Sequence, residues 1–407
     1  MHEDDTMIRP DDPDHRAWAL RDAARQLDLF RASLDPAGGF FQLGRDGTPV
    51  PGRPRELHAT ARLVHSYALG KLAGFKECDT MIDAGMRDLS RNHRDSIHGG
   101  YLWSLDADGV RDGRKLAYGH VFVLLAGSSA LAVGHPDAQA LIDDVTEVLD
   151  ARFWEDGTGR FCDEFNRDWT PFSDYRGMNA NMHGIEALLA AHEATGADGY
   201  LAKASRILDF FLGRIAPAHG DRLPEHYHGD WSVDLDYSAD PMFRPAGTTP
   251  GHSFEMARLL LQYWDMSGRA DETAPARARA LTCRALADAW DPTRGGLVYT
   301  LHRDGTPDIS DRYWWPVTEA IGALAALMKL GPTEDDALWF DRLWRFAKAH
   351  FVDAVRGGWF PEIDDAGHPT ERQFIGKPDI YHALQADLFP LTPGLSGYYT
   401  ALKELRA

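Results

Sequence analysis

The chain has 407 residues, 44% hydrophobic and 26% charged, the balance of a globular protein with a large core. Lys and Arg number 43 against 62 Asp and Glu, a formal charge of −19, which excludes nucleic acid and anionic membrane as main partners because both recruit cationic surfaces. No apolar run is long enough to span a bilayer. The acidic start Met1-His2-Glu3-Asp4-Asp5 carries no secretory h-region, and Cys78, Cys162 and Cys283 form no CxxC, so a cytoplasmic protein with reduced thiols is expected.

In chain order, a helix is predicted over about 13–34. It is followed by Gly38-Gly39-Phe40-Phe41, alternating residues and an Asp46-Gly47 turn, the pattern of a β-hairpin. The same unit returns from Gly99-Gly100 to Asp108-Gly109, from Gly295-Gly296 to Asp304-Gly305, and from Gly357-Gly358 to Ala366-Gly367. A degenerate copy runs from Gly159 to Asp168-Trp169, and a weaker one lies near Gly220 to Asp230. Between hairpins the apolar period changes to about 3.6, with helix pairs at about 55–74 and 78–93, 116–134 and 136–152, 178–196 and 198–216, 251–268 and 272–290, and 313–330 and 333–353. One more helix starts near 379. About twelve helices in six pairs at a period of roughly 60 residues predict an all-α (α/α)6 barrel, a single domain over 1–407, with short β-hairpins in its connections. The weakest repeat, about 219–250, reads as a long loop over the barrel mouth.

The first helix of each pair opens with polar and aromatic residues and then turns small and apolar, as an inner ring requires. Its polar ends should converge on one mouth and form a pocket. His58, Arg62 and His65 share a helix face, as do Asn179, His183 and Glu186, and as do His252 and Glu255. His58, His183, His252 and His382 stand near the same end of four such helices. A single histidine is most simply a core or surface imidazole; four at one end point to a functional cluster. The 12 Trp can be core or a platform for the C–H face of a pyranose.

Three chemistries compete for such a cluster. A metal site would suit His plus carboxylate, though no HExxH or HxH places two ligands together. Glycoside cleavage needs two facing carboxyl groups, for which Glu255 and Glu319 are the candidates. Proton transfer beside a carbonyl suits imidazole, which takes and returns a proton near neutral pH. No GxGxxG, GxxxxGK[ST] or GxSxG occurs, so nothing points to a dinucleotide, a nucleoside triphosphate or a serine nucleophile.

The strings Arg62-Leu63-Val64-His65-Ser66-Tyr67, Asn179-Ala180-Asn181-Met182-His183, Pro250-Gly251-His252-Ser253-Phe254-Glu255 and Lys377-Pro378-Asp379-Ile380-Tyr381-His382 resemble the N-acylglucosamine 2-epimerase superfamily, and within it the branch of mannose and sulfoquinovose isomerases. The resemblance spans the whole chain in order and spacing. It implies an (α/α)6 barrel and a cofactor-free, metal-free aldose–ketose isomerase acting through a cis-enediol on a free monosaccharide. D-Mannose/D-fructose is the implied pair, and D-lyxose/D-xylulose a second. It also implies that His252 and His382 are the acid/base pair, His382 for C1–C2 proton transfer and His252 for ring opening, with the roles reversible. Glu255 would orient the His252 imidazole or bind a hydroxyl. Arg62, Tyr118, Asn179 and His183 match sugar-binding positions; His58, Arg244, Trp315 and Glu319 are further candidate contacts, and Trp314 a candidate wall. Arg62 and Glu319 can equally be members of buried ion pairs. The rival readings are a sugar 2-epimerase of the same superfamily, a sulfoquinovose isomerase, a glycoside hydrolase or lyase, and a sugar-binding module. A sulfonated sugar would require a cationic subsite, for which Arg62, Arg244 and Lys377 are the available residues. A monomer or homodimer is expected.

Overall fold

The structure is a computed structural model that describes residues 7–240 and 244–405. The six apolar helices of the repeat are α2 (Leu57–Leu72), α4 (Ala117–Ala132), α6 (Met178–Thr195), α8 (Pro250–Met266), α10 (Trp314–Leu330) and α12 (Tyr381–Leu388). Each packs on the next, and α12 packs back on α2, closing an inner ring. The outer helices are α1 (Pro13–Phe30), α3 (Asp79–Asp88), α5 (Ala138–Val148), α7 (Asp198–Phe210), α9 (Ala274–Ala289) and α11 (Glu334–His350). α1 lies against α12, so the first and last helices of the barrel complete one pair. The (α/α)6 toroid expected from the repeat is present.

Sequence explains the two rings. α4 reads Val121-Phe122-Val123-Leu124-Leu125-Ala126 with every side chain buried, as a helix enclosed on all sides must. α11 alternates: Leu343, Trp344 and Ala347 are buried, while its first turn carries Glu334, Asp335 and Asp336 beside the helix N-terminus, where the macrodipole favours anions. Thr333 and Asp336 form a reciprocal capping box there.

Three outer helices run to the ends expected from their periodicity but change type in the last turn. α3, α5 and α7 each give way to a wider π-type turn, at Leu89–His93, Leu149–Phe153 and Phe211–Ile215. Arg94 N–H reaches Leu89 O across five residues at 3.0 Å. The turn keeps helical spacing in the sequence while redirecting the chain into the hairpin.

All six hairpins form, including the two degenerate ones. Gln42–Leu43 pairs with Pro49–Val50, Ser104–Asp106 with Gly109–Asp112, and Glu362–Ile363 with Pro369–Thr370. Phe165 bridges Pro171, Tyr227 bridges Val233 and Leu301 bridges Pro307. The segment first read as a long loop thus begins with a true hairpin at 224–233. Its turn puts Trp231 at φ 67°, and the degenerate copy puts Trp169 at φ 68°, where Gly47, Gly305 and Gly367 sit in their own copies. The left-handed conformation disfavours a Cβ, yet each indole is anchored: Trp169 Nε1 donates to His98 O at 2.7 Å and Trp231 Nε1 to Glu155 at 2.9 Å.

The hairpins set the mouth. Each pairs with the residues just before the inner helix of the preceding repeat: Arg55–Glu56 with Ser104–Leu105, Lys115–Leu116 with Glu164–Phe165, Arg176–Gly177 with His226–Tyr227, Thr248 with Leu301, and Arg312–Tyr313 with Glu362–Ile363. Lys377 N–H donates to Leu43 O at 3.0 Å and closes the cycle. This belt aligns six inner-helix N-termini at one end of the barrel; none is capped by its own N-cap side chain, and only α12 has its first N–H taken by a neighbouring carboxylate, Asp379 at 3.1 Å, among the described residues. Their partial positive charges therefore gather at the mouth.

Candidate functional site

A cavity of about 160 Å³ opens at that mouth. It is lined from all six inner helices by His58, Arg62, Tyr118, Asn179, His183, His252, Glu255, Trp314, Trp315 and His382, and from the connections by Tyr175, Glu225, His226, Pro245, Thr249, Tyr299 and Phe374. Two imidazoles in it are held by carboxylates. His252 Nδ1–H donates to both oxygens of Glu225, each at 3.0 Å. Glu225 also accepts the Thr249 N–H at 3.2 Å, which fixes it beneath the start of α8. His382 Nδ1–H donates to Glu319 Oε1 at 2.7 Å. Because a carboxylate only accepts, the proton sits on Nδ1 in both rings and the Nε2 lone pair is left for the cavity.

One indole touches both rings. Trp315 lies 5.1 Å from His252 and 5.9 Å from His382, ring centre to ring centre. Gly251 makes this approach possible: a Cβ there would stand 2.2 Å from the Trp315 ring. The residue before His252 must therefore be glycine for a steric reason rather than a conformational one.

The remaining imidazoles are different. Burial, with help from the Arg62 guanidinium, pushes His58 down to about 3. Burial pushes His183 down to about 4; Glu186 opposes this and Arg62 reinforces it. Both are neutral at physiological pH. His58 stacks on Trp103 at 5.1 Å, and His183 packs edge-on against Tyr118 at 5.3 Å. Burial also raises the Tyr118 phenol to about 12, so it remains a donor or acceptor and never an anion.

Beneath the rings lies a buried charge network. Arg258 has Glu319 at 3.6 Å, Glu186 at 3.8 Å and Glu255 at 4.0 Å. Burial raises Glu319, but the His382 hydrogen bond and Arg258 outweigh it and hold its carboxyl below the ordinary range. Glu186 follows the same pattern, with His183 and Arg258 overcoming burial, and it accepts from Tyr381 Oη and from Gln385 at 3.2 Å. Glu255 goes the other way: burial, then the Glu319 and Glu186 charges, push it well above the carboxylate range, so it holds a proton. Neither Glu255 oxygen has a hydrogen-bond partner among the described residues, nor do Arg62 Nε and Asn179 Oδ1. Such groups suit a polyhydroxylated ligand. His183, Glu186 and Glu255 bring ligand atoms within 4.8 Å of one another, the spacing of a metal cluster. The donor set does not suit a dication, because Arg258 already supplies the positive charge there and Glu255 is protonated.

Comparison with known proteins shows the family. Residues 38–386 match the family described as N-acylglucosamine 2-epimerase (GlcNAc 2-epimerase). The chain belongs to that family. A D-mannose isomerase of Thermobifida fusca is 40% identical over 94% of this chain and 96% of its own length. A D-mannose isomerase of Pseudomonas cannabina pv. alisalensis is 36% identical over 94% of each. The crystal structure of a D-mannose isomerase superposes with a TM-score of 0.87 at 31% identity, covering 92% of this chain and 97% of that one.

Of the positions expected from the family resemblance, His252, His382, Arg62, Tyr118, Asn179, His183, Glu255, Trp315 and His58 all line the cavity, as does Trp314. Three expectations are corrected. Glu255 does not orient His252: it lies 3.3 Å from His183, and the carboxylate on His252 is Glu225. Glu319 does not line the cavity but stands behind His382. Arg244 sits at the rim rather than in the wall, its guanidinium 4.0 Å over the Tyr175 ring. Arg62 is both a lining group and an ion-pair member, with Asp379 at 3.3 Å, Tyr118 Oη at 2.9 Å and the Phe122 and Tyr381 rings at 4.4 and 4.6 Å. Among the residues that sequence reasoning did not place in the site, Glu225 and Arg258 carry charge, while Tyr175, His226, Pro245, Thr249, Tyr299 and Phe374 complete the wall. Glu225 belongs to the weakest hairpin, and only its place one residue before the paired His226–Tyr227 strand signalled a fixed position. Arg258 lies about two turns from His252 on α8 and is a basic residue buried in the inner ring.

Proposed function

We propose that this family member is a metal-independent aldose–ketose isomerase that interconverts D-mannose and D-fructose, with D-lyxose and D-xylulose as a second pair. The observation that carries the reading is the pair of imidazole–carboxylate dyads, His252–Glu225 and His382–Glu319, set against one indole in a single cavity. The relatives at 40% and 36% identity support mannose as the aldose.

Isomerisation moves one proton from C2 to C1 and a second from O2 to O1. With the sugar ring open, His382 Nε2 removes the C2 proton, and electrons flow through C1 to the carbonyl oxygen to give a cis-enediolate. The imidazolium that forms is stabilised by ionised Glu319 behind it. The same imidazole returns the proton to C1 while the O2 proton passes to O1, so that O1 becomes a hydroxyl and O2 the ketose carbonyl. His252 opens the ring by exchanging protons with the ring oxygen and the anomeric hydroxyl, its charge balanced by Glu225. The enediolate oxygens face Arg62 and the gathered helix N-termini, fixed positive groups placed where negative charge develops. Protonated Glu255 and neutral Asn179, His183 and His58 hold hydroxyls without adding charge.

Other chemistries fit less well. A glycosidase needs two carboxyl groups flanking the scissile bond, but Glu319 is tied to His382 and Glu255 is buried against Arg258. A 2-epimerase would use the same dyads and return the proton to the opposite face of C2; the identity to D-mannose isomerases favours isomerisation. The cytoplasm is the compartment we propose, supported by three cysteines that remain unpaired. The test is incubation of purified protein with D-mannose, with and without EDTA, and analysis of the sugars formed. Equal fructose in both supports the proposal. Glucose formed before fructose establishes an epimerase, and fructose only without EDTA overturns the metal-free mechanism.

A further inference from the structure

The three cations that could receive an anionic sugar are each matched to a carboxylate. Arg62 donates to Asp379 at 3.3 Å. Lys377 Nζ, with a side chain fully buried, lies 2.7 Å from Asp353. Arg244, the one at the rim, donates to Glu164 through both terminal nitrogens, at 3.3 Å to Oε1 and 2.8 Å to Oε2. This third pair is asymmetric. The Arg244 side chain is 31% exposed and reaches the mouth beside Tyr175, whereas Glu164 is 3% exposed. Glu164 is also fixed: Ser173 Oγ donates to it at 2.6 Å, and its backbone is paired with Lys115–Leu116 in the hairpin belt. An Arg fork of this kind is the natural bidentate partner of a phosphate or sulfonate, and here a buried carboxylate already occupies it. Beyond it the cavity offers the Glu225 carboxylate, so an anion entering would lose its hydration without gaining a free cation.

We propose that Glu164 is a specificity-determining residue: by occupying the Arg244 fork at the rim, it restricts the site to uncharged sugars and turns away those bearing a phosphate or sulfonate. The inference rests on the reading of this cavity as a sugar isomerase site, and it answers which of the anionic and neutral substrate classes the site takes. Releasing the fork should admit the anion. Arg244 is held in place by its stacking on Tyr175 as well as by Glu164, so removal of the carboxylate leaves a positioned guanidinium.

The test is direct titration of the full-length protein with mannose 6-phosphate, and in a parallel arm with the corresponding 6-sulfonate, followed by tryptophan fluorescence. Wild type, Glu164→Gln and the Glu164→Gln/Arg244→Met double variant are compared. The expected result is a Kd for the anionic sugar at least about tenfold lower in Glu164→Gln than in wild type, and loss of that gain in the double variant. If Glu164→Gln does not fold, Glu164→Asp, which keeps the charge but withdraws it from the fork, should show a smaller gain in the same direction. Unchanged affinity in a folded variant overturns the proposal. So does a gain that survives removal of Arg244, or a wild type that already binds the phosphate as well as mannose. Gain with only one of the two anions assigns the released fork to that one. Mannose turnover is measured separately: its absence in wild type defeats the isomerase reading, while the binding contrast still tests Glu164.

Discussion

Two pairs of histidines occupy the same cavity and differ in what stands behind them. His252 and His382 give their Nδ1 proton to a carboxylate, at 3.0 and 2.7 Å. His58 and His183 have no hydrogen-bond partner at Nδ1 among the described residues, and burial holds them neutral, at about 3 and about 4. All four stand towards the start of an inner helix, His58, His252 and His382 in its first turn and His183 in its second. The partner, not the position, separates an imidazole able to carry a charge through a reaction from one that serves as a neutral hydrogen-bonding wall.

The largest expected effect lies on the first pair. His382→Asn or His252→Asn should lower kcat about a thousandfold, the usual worth of a positioned acid or base, whereas His58→Asn or His183→Asn should act mainly on KM and by about tenfold. Steady-state kinetics on mannose reads both, and similar losses in kcat at all four positions would erase the distinction. Next come the carboxylates. Glu319→Gln should cost about a hundredfold in kcat, because it also removes one counter-charge of buried Arg258. Glu225→Gln should cost less, about tenfold, since the amide oxygen can still accept from the Thr249 N–H and from Nδ1. Equal losses would mean that Arg258 plays no part in holding the His382 dyad.

A packing change tests whether the shared indole sets the geometry. Gly251→Ala drives a methyl into Trp315 and should destabilise the fold by about 1–3 kcal/mol in a denaturant titration while displacing both imidazoles. The smallest effect is in the pH dependence of stability. His183 ionises at about 4 in the folded chain against 6.5 for an ordinary imidazole. Between those values the unfolded chain binds a proton that the folded chain refuses, so stability falls as pH drops from about 6.5 towards 4, by at most about 3 kcal/mol for this group. His183→Asn should flatten that slope in thermal melts; an unchanged slope would show that burial does not hold His183 neutral.

Much of this was legible in the sequence. The Gly-Gly to Asp-Gly repeat marked the hairpins, the fully apolar helices marked the inner ring, and the histidines at their starts marked the mouth. What stayed hidden depends on contacts between distant residues. Glu255, three residues after His252, was the natural partner by helix spacing, but its side chain turns to His183 and Arg258 while Glu225, from another connection, takes the imidazole. The two weak hairpins are legible only as degenerate copies because Trp169 and Trp231 hold glycine positions, a local rule overridden by indole hydrogen bonds to remote groups. The ends of three outer helices match the expected bounds, but their change to a π-type turn was not legible, because it leaves the apolar period almost intact.

The central claim is that an imidazole on a carboxylate, His382 on Glu319, carries the proton between C2 and C1. The most direct measurement is proton NMR of D-mannose with the protein in D2O, followed over many turnovers. The expected result is fructose carrying one solvent deuterium at C1, mannose progressively losing its C2 proton signal, and both changes absent in His382→Asn. Fructose formed at full rate by His382→Asn would contradict it, because the proton would then move between the two carbons without that imidazole.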